Sequence, residues 1–247
     1  MQKQNTIEKI FDLAPAADGP RDLAGTITIT REHAILVVLA LATLFSRLLL
    51  LGTRVMSHDE SLHVYYSWLL GTGKGFVHNP MMHGPLLFEA TALVDILLGA
   101  SDFTARLIPA ILGTIVVIAV PQLLKPWLGK TGAVTTSLLF SISPFILYFS
   151  RYIRHDILVL AWVLGAVVLI FRHLDRPSES NLLWLAAALA LMLSTMEISF
   201  FYMAIFAGFL AAAAFSPPTG VPLPSALVRG PALFRPRIDS GNRPRTV

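Results

Sequence analysis

The stretch "HGPLLFEATALVDILLGA", from His83 to Ala100, decides how this chain is threaded through a membrane. It is apolar enough to be considered as a membrane span, but it carries Glu89 and Asp95. Either carboxylate costs about 2.5 to 3.5 kcal/mol at the centre of a bilayer on insertion scales. We therefore expect a helix that lies in or near the membrane interface and does not cross it.

The composition of the whole chain indicates an all-α integral membrane protein. Of its 247 residues, 55% are hydrophobic and only 14% are charged, and the mean hydropathy is +0.67. These values lie outside the usual balance of a soluble domain. The net charge of +4 is scattered over loops and a tail, so membrane lipids are the expected partners and nucleic acid is not. The chain has no cysteine, which excludes disulfides and thiolate metal sites.

Roughly 20 apolar residues are needed to cross a bilayer as a helix. Six apolar segments near this length are interpreted as spans and predict a polytopic helix bundle: 34–51, 107–124, 132–149, 157–171, 182–196 and 199–215. Glycines at 71, 73 and 75 interrupt the outer loop 54–105, which is expected to hold two short juxtamembrane helices. Pro144 is expected to kink the third span.

The predicted organisation has three parts. Residues 1–32 form a cytoplasmic N-terminal segment without a signal-peptide pattern. Residues 33–215 form the transmembrane domain. Residues 216–247 contain seven prolines and five arginines and are expected to be disordered.

The distribution of Lys and Arg favours six spans over seven, because cytoplasmic loops collect these residues. With six spans, thirteen Lys and Arg lie inside and five lie outside. If 83–100 also crosses, the two sides hold seven and eleven. We therefore expect a multi-pass protein of the plasma membrane with both termini in the cytoplasm.

The six-span topology places four polar segments on one outer face, where they can build a single site. These are "SHDESLH" (57–63), "HNPMMHGP" (78–85), "SRYIRHD" (150–156) and the lone Glu197. In a seven-span chain the first and third of these segments would lie on opposite sides of the bilayer. Glu197, between two apolar spans, is a functional-site hypothesis by default.

The adjacent acids Asp59 and Glu60 cannot share one proton, because neighbouring side chains on a helix diverge by about 100°. We expect Asp59 to face a reaction and Glu60 to bind a partner or to structure the loop, although charged residues also simply mark span ends. Arg151 and Arg154 would share one face if the helix extends that far, and arginine binds phosphate in a bidentate manner. The alternative is that both reach to lipid headgroups, which leaves the neighbouring Asp156 without a role.

Four histidines, at 58, 63, 78 and 83, fall within one outer loop. They could bind a metal ion, but they lack the spacing of a known ligand motif. Hydrogen bonding to the backbone is the simpler expectation.

Three stretches, taken in order, carry a family resemblance: "SHDESLHVYYSWLLGTGKGFVHNPMMHGPLLFEA", "GASDFTARLIPAILG" and "SPFILYFSRYIRHDI". The combination resembles the GT-C superfamily of membrane glycosyltransferases. The type resembled is the dolichyl-phosphate-mannose protein mannosyltransferase (glycosyltransferase family 39-like), and within it the flippase-activity-associated branch of archaea and bacteria. The resemblance covers residues 34–215.

The resemblance implies a fold, a reaction and a site. The fold is the GT-C-like bundle with two juxtamembrane helices in the first outer loop. The reaction is an inverting transfer of a sugar from a polyprenyl-phosphate donor to a lipid or protein acceptor, a hexosyltransferase activity. The implied catalytic residues are Asp59, as general base, and Glu60. The implied donor-phosphate ligands are Arg151, Arg154, Arg106 and Lys74, and other outer-face residues are His58, His83 and Glu197. If a divalent metal such as Mg²⁺, Mn²⁺ or Zn²⁺ is used, Asp156 and His83 would bind it.

Members of that superfamily are longer, and this chain corresponds to their N-terminal half. We therefore expect a truncated or frame-shifted product, or a natural half, whose activity can be lost. Two alternatives to an active enzyme stay open. One is a non-catalytic accessory of lipid-linked oligosaccharide translocation, in which the acids and arginines bind headgroups. The other is an inert membrane fragment.

Overall fold

The computed structural model describes residues 30–215, and every regular element in that range is helical, as predicted. Residues 1–34 and 35–247 form two units, and of the first only Thr30 to Ala34 are described, at the start of the first helix. The predicted tail 216–247 and nearly all of the predicted segment 1–32 lie outside the described residues.

Nine α-helices and two short 3₁₀ turns follow one another within the described range. The 3₁₀ turns are Pro80–Met82 and Thr104–Arg106. The helices are α1 (Arg31–Leu48), α2 (His58–Gly71), α3 (Leu86–Leu98), α4 (Leu107–Leu123), α5 (Lys125–Ile142), α6 (Pro144–Phe149), α7 (Asp156–Asp175), α8 (Glu179–Leu193) and α9 (Ser199–Phe215). Each predicted span contains a helix, and α2 and α3 occupy the outer loop in which two short helices are predicted.

Two helical stretches in the described range are long and apolar enough to cross a membrane, Thr104–Leu123 and Asp156–Asp175. Helices α8 and α9 are apolar but shorter, with 15 and 17 residues. At a rise of about 1.5 Å per residue they are about 22 to 26 Å long, less than the roughly 30 Å of a hydrocarbon core. Crossing by the other four predicted spans stays a prediction.

The stretch that decides the threading forms α3, whose 13 residues are too short to cross. Its length is about 20 Å, against the roughly 30 Å of the hydrocarbon core. It packs along α2, and Leu87, Phe88 and Ala92 are buried. Glu89 points to solvent. Partial burial raises the pKa of Asp95, and a hydrogen bond from Thr104 opposes that shift.

The predicted third span, 132–149, is wrong in one respect, because it is two helices and not one kinked helix. Helix α5 ends at Ile142, Ser143 is extended (φ −61°, ψ 119°), and α6 begins at Pro144. Proline disfavours helical backbone at the residue before it and is well suited to the first helical position. The Ser143 hydroxyl accepts a hydrogen bond from the Ile146 amide and caps the new helix.

The main hydrophobic core lies where α3, α4, α6 and α7 meet. Its buried members are Leu87, Ala105, Val117, Ile146, Ile153, Ile157 and Leu158. Three of these, at 153, 157 and 158, flank the non-helical segment 150–155 and the first turn of α7. Packing of these residues in the core therefore fixes the position of the polar segment "SRYIRHD".

Gly84 allows a close contact between the outer loop and the turn after α8. Its amide donates to the Thr195 carbonyl at 3.0 Å, and the Leu86 amide donates to the Ser194 carbonyl at 3.1 Å. A Cβ atom added at Gly84 would lie 2.0 Å from the Ser194 carbonyl oxygen. Only a residue without a side chain fits there.

We predict that Gly84→Ala destabilises the protein by about 1 to 3 kcal/mol, because the backbone of the α8–α9 turn must move away. Chemical or thermal unfolding in detergent measures the change. Gly165→Ala is the matched control, since no atom lies within 4 Å of a Cβ at this helical glycine. The control is expected to be neutral or stabilising by roughly 0.5 to 1 kcal/mol, and equal losses in the two variants would contradict the prediction.

Candidate active site

The four polar segments that the sequence places on one outer face are in contact. The Ser57 hydroxyl is hydrogen-bonded to the Tyr152 hydroxyl, joining the first segment to the third. The His155 Nε2 atom lies 3.1 Å from the Gly84 carbonyl oxygen, joining the third to the second. His83 in turn contacts Glu197. Residues up to 140 positions apart in the sequence thus form one polar region above the core.

Glu60 is the buried centre of this region. It stands at the third position of α2, where it forms a capping box with Ser57. Its carboxylate, 0% exposed, accepts two hydrogen bonds from Arg106, at 2.9 and 3.1 Å, and one from Arg54 at 2.7 Å. The backbone amides of Ser57 (3.2 Å) and Ile153 (3.4 Å) also donate to it. One carboxylate therefore ties together α2, the start of α4 and the segment 150–155.

Arg106 is equally enclosed, with 1% of its surface exposed. Besides its two bonds to Glu60, it donates to the carbonyl oxygens of Leu51 (2.9 Å) and Arg54 (3.1 Å). A guanidinium group in these contacts has no free face for a substrate. The geometry gives Glu60 and Arg106 a structural role, in line with the expectation that Glu60 structures the loop. It offers no support for Glu60 as a catalytic acid or for Arg106 as a phosphate ligand.

Asp59 points the other way and is 51% exposed. Its Oδ2 atom lies 3.4 Å from Nη1 of Arg154, and the Nε atom of Arg154 lies 3.4 Å from Oδ2 of Asp156. We call Asp59, Arg154 and Asp156 the acid–arginine cluster. All three side chains reach solvent, so these ion pairs add little stability. The cluster is open to a ligand, unlike the Glu60–Arg106 pair beneath it.

The other predicted phosphate ligands are bound elsewhere. Arg151 donates to the carbonyl oxygens of Ser46 and Leu50. These oxygens lie at or just after the C-terminal end of α1, where a positive charge is favourable. The segment 150–155 is not helical, so the premise that Arg151 and Arg154 share a helical face is wrong. The Lys74 amine lies 4.2 Å from the ring centre of Trp68, near the far end of α2. About 18 Å of helix separate that end from Asp59.

His58 is exposed in the first turn of α2. His83 contacts Glu197 through Nδ1, at 3.0 and 2.9 Å from the two carboxylate oxygens. The side chain of Glu197 is exposed, so it is not the buried acid that its position between apolar spans suggests. The pKa of Glu197 is lowered, first by a hydrogen bond from its own backbone amide and then by the one from His83.

A metal ion has no grouped ligands among residues 30–215, where no three His, Asp or Glu side chains are arranged to hold one. The predicted ligands Asp156 and His83 have different partners, Arg154 and Glu197. Use of a divalent metal stays a prediction, and the roles assigned to these residues do not depend on one.

Two buried histidines, His63 and His155, lie directly behind the acid–arginine cluster. Their ring centres are 5.1 Å apart, and the ring of Phe88 packs against both. Burial lowers the pKa of His63, although a hydrogen bond to the Asp59 carbonyl opposes the shift. Burial, with repulsion from His63 next in size, lowers the pKa of His155 to about 3. Both rings are therefore neutral at pH 7.

Sequence reasoning missed His155, Arg54 and Tyr152. The guanidinium of Arg54 lies 5.0 Å from the centre of the Tyr152 ring, and its side chain is 46% exposed. No motif distinguishes Arg54 from an ordinary interfacial anchor. His155 lies between Arg154 and Asp156, two predicted site residues, and this position is the one signal that the sequence offers.

Comparison with known proteins identifies the family of this chain. It supports a membrane glycosyltransferase of the GT-C type. The family model described as dolichyl-phosphate-mannose-protein mannosyltransferase matches residues 82–225, more than half of the chain, and the chain belongs to that family. A search of curated proteins found no match. Membership in the flippase-activity-associated branch stays a prediction.

We predict that Glu60→Gln and Asp59→Asn have very different effects on stability, although the two acids are neighbours. Glu60→Gln leaves the Arg106 guanidinium buried without its counter-charge, which is expected to cost about 3 to 5 kcal/mol. Asp59→Asn removes an exposed ion pair and is expected to cost less than about 1 kcal/mol. Unfolding of both variants in the same detergent measures the difference, and similar losses would show that Glu60 is not the structural centre.

Proposed function

We propose that this protein transfers a sugar from a polyprenyl-phosphate donor to a lipid or protein acceptor at the outer face of the plasma membrane. Membership in the mannosyltransferase family supports the class of reaction and a lipid-linked donor in general. The observation that carries the proposal is the acid–arginine cluster, in which one exposed carboxylate lies beside a partly exposed guanidinium. A glycosyl transfer from a phosphate needs one group of each kind, a base and a cation.

Asp59 is the proposed general base. Its carboxylate is half exposed at the first turn of α2, so an acceptor hydroxyl can approach it. As the acceptor oxygen bonds to the anomeric carbon, its proton passes to Asp59. The bond from the anomeric carbon to the phosphate oxygen breaks on the opposite side, and the sugar configuration is inverted.

Arg154 is the proposed ligand of the departing polyprenyl phosphate. Charge builds up on the phosphate as it leaves, and a guanidinium group meets that charge with paired hydrogen bonds. Arg54 is the second cation whose side chain is substantially exposed on this side of α2. It lies against Tyr152, whose hydroxyl is bonded to Ser57, two residues before Asp59. Arg106 is buried and Arg151 is bonded to α1, so Arg154 is the better candidate. Arg54 is second, because it is 46% exposed but already donates to Glu60 at 2.7 Å.

Asp156 contacts Arg154 at Nε, whereas Asp59 contacts it at Nη1. With two carboxylates on one guanidinium, Arg154 stays ordered before the donor arrives. When the phosphate binds Arg154, Asp59 loses part of its ion pair and becomes free to accept the acceptor's proton. Binding of the donor thereby prepares the base.

We predict that Asp59→Asn lowers the rate of sugar transfer by about 10² to 10⁴-fold, the usual contribution of a general base. Transfer from a radiolabelled polyprenyl-phosphate sugar in proteoliposomes measures this effect. Glu89→Gln, which neutralises an exposed acid on the neighbouring helix α3, is the control and is expected to retain activity. Unchanged transfer in Asp59→Asn, together with lost translocation of lipid-linked oligosaccharide, would favour the accessory function instead.

We also predict the threading of the chain, on which an outer site depends. Because the chain has no cysteine, single cysteines can be placed by Ser61→Cys in α2 and Ser180→Cys at the start of α8, both at exposed positions. A membrane-impermeant maleimide added to intact cells is expected to label the first variant only, and detergent is expected to expose the second. Labelling of both from outside would contradict six spans.

A further inference from the structure

His63 and His155 each commit one ring nitrogen to a backbone carbonyl. The Nδ1 atom of His63 lies 2.6 Å from the carbonyl oxygen of Asp59. The Nε2 atom of His155 lies 3.1 Å from the carbonyl oxygen of Gly84. A carbonyl oxygen only accepts hydrogen bonds, so the ring nitrogen must carry the hydrogen in both cases. His63 is therefore the Nδ1–H tautomer and His155 is the Nε2–H tautomer.

The remaining ring nitrogens support this assignment. His63 Nε2 and His155 Nδ1 are buried and have no hydrogen-bond partner within the described residues. A hydrogen on either atom would be a buried donor without an acceptor, which costs more free energy than an unpaired lone pair shielded by an aromatic ring. The two neighbouring imidazoles thus hold opposite neutral tautomers.

The two histidines connect the two chain segments that carry the acid–arginine cluster. His63 lies on α2, one turn after Asp59, and it is 7% exposed. His155 lies between Arg154 and Asp156 in the chain and is 1% exposed. The two rings meet edge to face at 61°, and Phe88 packs against both. Their contact joins the backbone that carries Asp59 to the backbone that carries the other two members.

We propose that His63 and His155 are positioning residues for the acid–arginine cluster, and that each acts through its one fixed tautomer. The hydrogen bond to a carbonyl sets the orientation of each ring. The edge-to-face contact then sets the separation between Asp59 on α2 and Arg154 beside α7. A different tautomer would turn a ring, and small displacements of a reacting group have large effects on rate. The activity readout of this inference rests on the proposed function.

Amide side chains distinguish the two tautomers. Asn places its N–H near the position of the imidazole Nδ1–H, and Gln places its N–H near that of Nε2–H. We expect His63→Asn and His155→Gln to keep kcat for sugar transfer within about threefold of the wild type. The exchanged variants, His63→Gln and His155→Asn, are expected to lower kcat by about tenfold or more, with a smaller change in KM for the donor.

A preference for Asn at position 63 and for Gln at position 155 would distinguish a positioning role from simple packing. If only side-chain volume matters, Gln is the better replacement at both positions, and that result would overturn the proposal. Equal activity of all four variants would also overturn it. His78→Asn and His78→Gln are the matched controls, since this histidine is exposed in the same outer loop, and both are expected to behave like the wild type.

A second measurement does not depend on activity, and it needs only the two conservative variants, for assignment. In wild-type protein labelled with ¹⁵N-histidine, long-range ¹H–¹⁵N spectra report which ring nitrogen carries the hydrogen. We expect one buried imidazole protonated at Nδ1 and another at Nε2 at neutral pH, assigned by their loss in His63→Asn and His155→Gln. Two rings of the same tautomer would refute the inference. The expected tautomers in a protein that transfers no sugar would instead refute the proposed function and leave the tautomer assignment standing.

Discussion

The bidentate pair between Glu60 and Arg106 is the interaction on which the outer region depends. Two opposite charges without contact with water are stable only if each of their hydrogen-bonding atoms is matched. Here the carboxylate is met by two arginines and two backbone amides, and Arg106 also binds two carbonyl oxygens. The pair stabilises one arrangement of α2, the start of α4, the segment 150–155 and the loop between α1 and α2, because any slip would leave a buried charge unmatched.

The site is built in layers above that pair. The hydrophobic core holds the start of α7, the ion pair fixes α2 over it, and the two histidines occupy the space between them. The exposed cluster lies on top, with longer and weaker contacts of 3.4 Å. The contacts thus weaken from the core to the surface. This order is physically reasonable, since the groups that must exchange partners with a substrate are held least firmly and the groups that support them are held most firmly.

Much of the fold follows from simple rules, because apolar length and breakers such as glycine indicate where the helices lie. The bias of Lys and Arg between loops predicts that Asp59, Arg154 and Asp156 share one face, but their contact is known only from the structure. It is harder to predict which of Asp59 and Glu60 is buried and which is exposed. The face of α2 that turns inward carries Glu60, His63 and Ser67, all of them polar. Hydrophobic periodicity therefore gives no warning that this face is buried.

The roles of the arginines could not be predicted for a related reason. Sequence spacing assigns faces only within a regular helix, and the chain leaves the helix between α6 and α7. Arg151 and Arg154 then diverge, one to α1 and the other to the cluster. The partner of Arg106 is 46 residues away, and nothing in either local sequence distinguishes this pair from two interfacial charges.

The backbone at His83 limits what evolution can place there. Its angles, φ 69° and ψ −161°, lie in a region that glycine occupies readily and other residues occupy at a cost of about 1 to 3 kcal/mol. Glycine would remove that cost, but Glu197 would lose its contact with the imidazole. A longer polar side chain would keep a contact with Glu197, and the backbone strain would remain. Position 83 therefore has to satisfy two opposing demands at once, although the residue is not part of the core.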